Sequence, residues 1–256
     1  MKTSNLSDVT QWFFETIQSL QSTQETVTIG LPGGTSLDSW YAELVSVMST
    51  KYWVPSTSWI DLKKVRFCLV DERCVPVESP DRNDAHVWKM FLEPLCKKGI
   101  IKPEQFIRPG ESVDALDYTE TVFAQIPSFL PLSNRGDMPE GISSRVRGEA
   151  SGGHMRIDIA LFWLGPDGHI ASLFPQHPAL EAQNEGYIRI HEAPKSPPER
   201  ISLTPISVEE IPHTCLFAVG ETKNEALANF LDESVTFEDC PAKLLQPDIV
   251  FDATTN

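Results

Sequence analysis

The run Ile157–Leu164 is apolar at every position but Asp158, and it leads straight into Gly165-Pro166-Asp167-Gly168-His169. Eight residues are far short of the roughly 20 that a membrane helix needs. A short run that is apolar on both alternating faces suits a strand buried on both sides, as inside a parallel sheet. Parallel strands need crossover connections, usually helices. The rest of the chain has to supply them.

The periodicities do so. Leu6, Val9, Phe13, Ile17 and Leu20 recur at helical spacing and predict a helix over residues 5–21. Val27 and Ile29 predict a strand over Glu25–Gly30, followed by the turn Leu31-Pro32-Gly33-Gly34-Thr35-Ser36. Leu37, Trp40, Tyr41, Leu44, Val45 and Met48 share one face of a second helix. Val65–Val70 and Cys215–Val219 read as further strands, Lys223–Leu231 as a helix and Asp248–Phe251 as a last strand. Alternating strands and helices predict an α/β fold: a doubly wound, mostly parallel sheet flanked by helices. Residues 1–256 are expected to form one such domain. The stretch Pro131–Arg156, rich in Gly, Ser, Arg and Glu and without a period, is expected to be a flexible surface loop.

Four polar or glycine-rich signatures each follow a predicted strand: Gly33-Gly34-Thr35-Ser36, Asp71-Glu72-Arg73, Gly165–His169 and Gly220-Glu221-Thr222-Lys223. In open α/β sheets ligands bind outside the carboxyl ends of the strands, so these signatures are expected to converge on one crevice. Gly33 and Gly34 let backbone N–H groups approach an anion at a helix N-terminus; a tight turn with a Thr35 or Ser36 cap explains them equally. Lys223 at a helix start adds a point charge for a phosphate, or is an ordinary solvated lysine. Arg200 carries the same two readings. In Asp71-Glu72-Arg73, Arg73 would contact phosphate or sugar while Asp71 fixes the loop; otherwise the three form a surface ion-pair cluster. His169 has the side chain suited to proton transfer near neutrality, beside Asp167 in a tight bend; the bland alternative is a capping or core histidine.

Charge and cysteines narrow the class. The formal net charge is −15, which argues against nucleic-acid and anionic-membrane partners and requires any phosphate site to be a local cluster of donors and cations. The five cysteines are scattered without a Cys-x-x-Cys pair, and no apolar signal run opens the chain. A reduced, cytoplasmic protein without a metal site is expected. No Gly-x-Ser-x-Gly elbow, His-Glu-x-x-His, dinucleotide fingerprint or P-loop is present.

The segment Leu164–Pro175, with Gly165-Pro166-Asp167-Gly168-His169 at its start, resembles the hallmark of the 6-phosphogluconolactonase family. Asp71-Glu72-Arg73-Cys74-Val75-Pro76, Gly33–Ser36, Pro198-Glu199-Arg200-Ile201-Ser202-Leu203 and Gly220-x-x-Lys223 are similar to further family motifs. The resemblance spans about residues 25–243. It implies a modified Rossmann-like fold shared with glucosamine-6-phosphate deaminases and hydrolysis of 6-phosphoglucono-δ-lactone in the oxidative pentose phosphate pathway. It also implies no metal or organic cofactor and a small sugar-phosphate lactone as partner. His169 then matches the general base, with Asp167 beside it. Arg73, Lys223 and Gly33, Gly34, Thr35 and Ser36 match substrate and phosphate contacts, and Asp71 and Arg200 join them. Oligomeric state stays open, with a monomer as the expectation. The chain departs from the family pattern at Leu37 (proline there), Arg82-Asn83 (Ser-Asn there) and Trp163 (a glycine there). The deaminase alternative calls for a carboxylate soon after the histidine, and Ala171–Phe174 offers none.

Overall fold

A computed structural model describes residues 1–49, 60–125 and 156–254. The predicted loop at 131–156 lies outside them except for Arg156. In chain order the elements are β1 (Lys2–Thr3), α1 (Leu6–Gln21), β2 (Val27–Leu31), α2 (Asp38–Ser49), β3 (Val65–Leu69), β4 (Asp71–Arg73), α3 (Asn83–Val87), α4 (Glu93–Lys97), α5 (Ala115–Gln125), β5 (Ile159–Trp163), β6 (Tyr187–Ile190), β7 (Arg200–Leu203), α6 (Pro205–Glu209), β8 (His213–Val219), α7 (Asn224–Leu231) and β9 (Ile249–Ala253).

Six strands form one sheet in the order β1-β9-β8-β5-β2-β3, and every pairing in it is parallel. Its middle is the apolar run singled out in the sequence: β5 pairs with β2 on one side and β8 on the other. Asp158, the break in that run, is 2% exposed and accepts from the Thr28 backbone N–H at 2.8 Å, so the polar residue ties β5 to the start of β2. Right-handed crossovers fix where the helices go. The chain steps toward β3 on passing from β1 to β2 to β3, which puts α1 and α2 on one face. From β5 on it steps the other way, which puts α6 and α7 on the opposite face. Phe13 of α1 meets Trp40 of α2 edge-on at 5.2 Å between ring centroids, as neighbours on one face should. Each helix buries the predicted stripe: Val9, Phe13, Ile17 and Leu20 in α1, and Trp40, Tyr41, Leu44 and Met48 in α2.

The direction of travel reverses between β2 and β5. Their carboxyl ends flank the topological switch point, where a crevice forms in folds of this kind. Glycine lines the approach: a Cβ at Gly30 would stand 3.1 Å from Val70 Cγ1.

A second sheet, absent from the sequence reading, is antiparallel in the order β4-β7-β6. Asp71-Glu72-Arg73 is therefore a strand rather than a loop. Val70, between β3 and β4, links the two sheets: its N–H donates to Leu31 O and its carbonyl accepts from Leu203 N–H. Helix α2 starts at Asp38, after a 3-10 turn over Thr35–Leu37 that takes in the first residue of the predicted apolar face; α7 likewise follows a 3-10 turn over Glu221–Lys223. Residues 83–97 are helical throughout, with a π-helical turn at Trp88–Leu92 joining α3 to α4. Among the described residues no helix is long and apolar enough to cross a membrane.

Candidate active site

Three signatures leave the carboxyl ends of adjacent parallel strands: Gly33–Ser36 after β2, Gly165–His169 after β5 and Gly220–Lys223 after β8. The fourth, Asp71–Arg73, starts one residue beyond β3. The structure brings them to one end of the sheet.

His169 is held from every side. Its backbone carbonyl accepts from Gly165 N–H at 2.8 Å, closing a tight turn. A Cβ on Gly165 would lie 2.0 Å from His169 Nδ1, so the ring occupies space that only glycine leaves. Gly168 has φ of +87°, a region open to glycine, and its Cα faces Cys240. Trp163 meets the imidazole edge-on at 4.9 Å and Phe174 lies at 4.6 Å. The imidazole is 1% exposed.

The two ring nitrogens are distinct. Nδ1 makes a short contact with Asp167 Oδ1 and stands 3.2 Å from Lys195 Nζ; Lys195 in turn reaches Asp167 Oδ1 at 3.0 Å. An Nδ1 lone pair facing a carboxylate would be repelled, so Nδ1 carries the proton and donates it to Asp167, while the ammonium bonds to the carboxylate. Nε2 is then the basic nitrogen, and it is buried with no hydrogen-bond partner among the described residues. Burial lowers the His169 pKa, and the Asp167 hydrogen bond opposes this only in part, so the ring is neutral at pH 7. Burial acts upward on Asp167, but the bonds from His169 and Lys195 outweigh it and hold the carboxyl well below the usual range.

Lys223 lies over the indole of Trp163 with Nζ 5.1 Å from the ring centroid. Burial and then Lys195 lower its pKa, which places two ammonium groups within each other's field. Gly34, at φ +82°, opens the 3-10 turn that leads into α2, and as its N-cap offers no side chain to cap it. Its N–H groups and the helix dipole form a positive end suited to an anion. Gly33 serves packing: an added Cβ would fall 1.9 Å from Asn83 Oδ1. Thr35 is exposed and Ser36 half-buried at the rim.

Arg200, expected as a further substrate contact, bonds backbone carbonyls of its own loop. It is 3% exposed; Nε donates to Pro197 O, and Nη2 to Lys195 O and Ser196 O. Its donors hang the loop that carries Lys195. Arg73 is its cross-strand partner. Arg73 Nη1 donates to Asp81 O, and its Nε is buried without a partner among the described residues. Asp71 is buried and accepts from Asn83 Nδ2 at 3.1 Å and Ser172 Oγ at 2.7 Å, which ties the second sheet to the His169 loop. Glu72 accepts the N–H groups of Arg73, Asn83 and Asp84 and so caps α3. Arg82, one of the departures from the family pattern, is 1% exposed and forks onto Asp84 at 3.0 and 3.1 Å, turned to the interior.

Lys195 carried no signal in the sequence, whereas Ser172 and Asn83 lie in segments that resemble the family's motifs but were given no role. Lys195 lies in an aperiodic Pro-rich segment, and only its hanging from Arg200 brings it to Asp167. Among the described residues, no group of three or more His, Cys, Asp or Glu side chains could hold a metal ion.

The sequence model of a family described as "Glucosamine-6-phosphate isomerases/6-phosphogluconolactonase" matches residues 2–252. The chain is 32% identical over 184 residues to a 6-phosphogluconolactonase of Borreliella burgdorferi, covering 72% of this chain and 68% of that one. In fold it is similar to a 6-phosphogluconolactonase of Thermotoga maritima, with a TM-score of 0.70, 16% identity and coverage of 100% and 97% of the two chains. It is also similar to a monomeric glucosamine-6-phosphate deaminase, with a TM-score of 0.65, 15% identity and coverage of 98% and 94%. With nearly its whole length matched, the chain belongs to the glucosamine-6-phosphate isomerase/6-phosphogluconolactonase family.

Proposed function

We propose that the chain hydrolyses 6-phosphoglucono-δ-lactone to 6-phosphogluconate, with water activated by His169. The observation that carries this reading is the buried, unpartnered Nε2 of a neutral imidazole whose Nδ1–H is committed to Asp167. Water bonded to Nε2 gives up a proton to it as its oxygen attacks C1 of the lactone. The proton then passes from Nε2 to the ring oxygen as the C1–O bond breaks, leaving a carboxylic acid and a free hydroxyl. His169 returns to its starting state, and no metal is required. Such proton transfer contributes about 10²–10⁴-fold in rate.

The phosphate is assigned to the uncapped turn at Gly34–Ser36 and to Lys223, with Arg73 at the second sheet's edge. These groups supply the local positive charge that a chain of net charge −15 needs to receive an anion. Arg200 and Asp71 are assigned to positioning. The fold does not choose between lactonase and deaminase, since representatives of both superpose on this chain. The residues do: Ala171–Phe174 supplies no carboxylate beyond His169, and Asp167 is engaged with His169 and Lys195. The five cysteines are free thiols, which supports a reducing compartment such as the cytoplasm.

Decay of freshly made 6-phosphoglucono-δ-lactone, followed with and without protein, tests the reading. Wild type should accelerate it, and His169→Ala should lose about 10²–10⁴-fold of the turnover above the spontaneous rate. Near-wild-type turnover by the variant would remove His169 from the mechanism.

A further inference from the structure

Trp163 stands beside the base, the Lys223 ammonium and the glycine turn. It ends β5 at the switch point, opposite Phe217 of β8. Its indole and the His169 ring meet at 82°, its face lies beneath the Lys223 ammonium, and its Nε1 stands 3.9 Å from where a Cβ on Gly34 would be. One half-buried side chain thus separates the base, the cation and the glycine loop by fixed distances. A strand residue cannot slide. A lysine on a 3-10 turn can sample many rotamers unless something holds it.

We propose that Trp163 is a positioning and specificity residue for the phosphorylated end of the substrate, holding the Lys223 ammonium between the Gly34 turn and His169. This rests on the assignment of Lys223 and the glycine turn to the phosphate. The indole face offers a partly desolvated ammonium an attraction that needs no carboxylate. A carboxylate there would neutralise the charge the phosphate requires; a π-face holds the cation and leaves that charge available. Prearranging it removes part of the ordering cost that binding would otherwise carry. The rigid spacer also sets the reach from the anchored phosphate to the atom attacked beside Nε2. The residue thereby favours a lactone with a phosphate at its far end over one without.

The test compares wild type with Trp163→Leu, Trp163→Phe, Lys223→Ala and the Trp163→Leu/Lys223→Ala double variant. Calorimetry gives Kd for 6-phosphogluconate and for inorganic phosphate. Steady-state assays give KM and kcat for the phosphorylated lactone and for glucono-δ-lactone. Trp163→Leu should raise Kd and KM for the phosphorylated ligands about tenfold, the scale of a lost partly buried cation–π contact. Its kcat/KM for the phosphorylated lactone should fall further than its kcat/KM for glucono-δ-lactone, whose loss reports only the contact of Trp163 with His169. Trp163→Phe, which keeps a π-face, should recover most of the loss. In the Lys223→Ala background Trp163→Leu should add nothing, because the contact it supports is already gone. Unchanged Kd and KM in Trp163→Leu, an equal loss on both lactones, or additive losses in the double variant would overturn the proposal. If wild type binds 6-phosphogluconate but hydrolyses no lactone, the lactonase reading fails by itself, and the Kd comparison still decides the role of Trp163.

Discussion

Asp167 and His169 are two residues apart, and their contact makes the imidazole a base with one defined basic nitrogen. Asp167→Asn tests that point. An asparagine can turn its amide N–H toward Nδ1, which moves the ring proton to Nε2 and leaves nothing to accept a proton from water. We expect kcat to fall on the order of 10²–10⁴-fold with KM little changed; wild-type kcat would show that the carboxylate does not set the tautomer. The pH profile follows from burial. The folded pKa of His169 lies below its ordinary 6.5, so the neutral, active ring persists below that pH. The acid limb of kcat/KM should therefore fall below pH 6.5, and a limb above 6.5 would contradict it. Stability runs in the same direction. The unfolded chain binds the proton more readily, so this contribution is complete above pH 6.5 and is lost as pH falls through the depressed folded value.

At the scale of elements, helix α3 depends on a residue from another strand. Glu72 of β4 is fully buried and accepts three backbone N–H groups, two of them from the first turn of α3, and Arg82 Nε stands 3.6 Å from its Oε2. Glu72→Gln would set an amide NH₂ against a backbone donor. Urea unfolding should show a loss of about 1–3 kcal/mol, the cost of an unmet buried polar group; unchanged stability would mean that the cap contributes nothing. This dependence explains why the 83–97 helical run was illegible. Its N-terminal cap comes from 11 residues upstream, and a π-helical turn at Trp88–Leu92 shifts its apolar face midway. By contrast, β2, β3, β5, β8, β9, α1, α2 and α7 each carry their own period, and their cores were read to within about two residues. The strands β6, β7 and β4 are three or four residues long, too short to establish alternation without knowing what they pair with.

At the scale of the molecule, the two sheets meet behind the proposed base. Ser172, 101 residues away from Asp71, donates to its carboxylate at 2.7 Å and accepts a long contact from Arg200 Nη1. Ser172→Ala should cost about 1.5–3 kcal/mol, as expected for a buried bond to a charged group, and lower the thermal midpoint by about 2–4 °C per kcal/mol. It should also reduce kcat/KM, because the His169 loop loses its anchor to the second sheet; a variant as stable and active as wild type would show the sheets to be independent. The sequence by itself determined the parallel strands, since runs such as Ile157–Leu164 are stable only when both faces are covered. It also determined that glycine and polar signatures follow those strands, because the chain turns there. Only the tertiary structure decided which strands adjoin. That order sets β5 beside β2 and β8, so Trp163, Gly34 and Lys223 meet. It turned Gly33 into a packing residue and Arg200 into the hanger of the Lys195 loop, and it delivered Lys195 to Asp167. Periodicity records which face a residue buries. It carries no record of a contact made across a hundred residues by a single side chain.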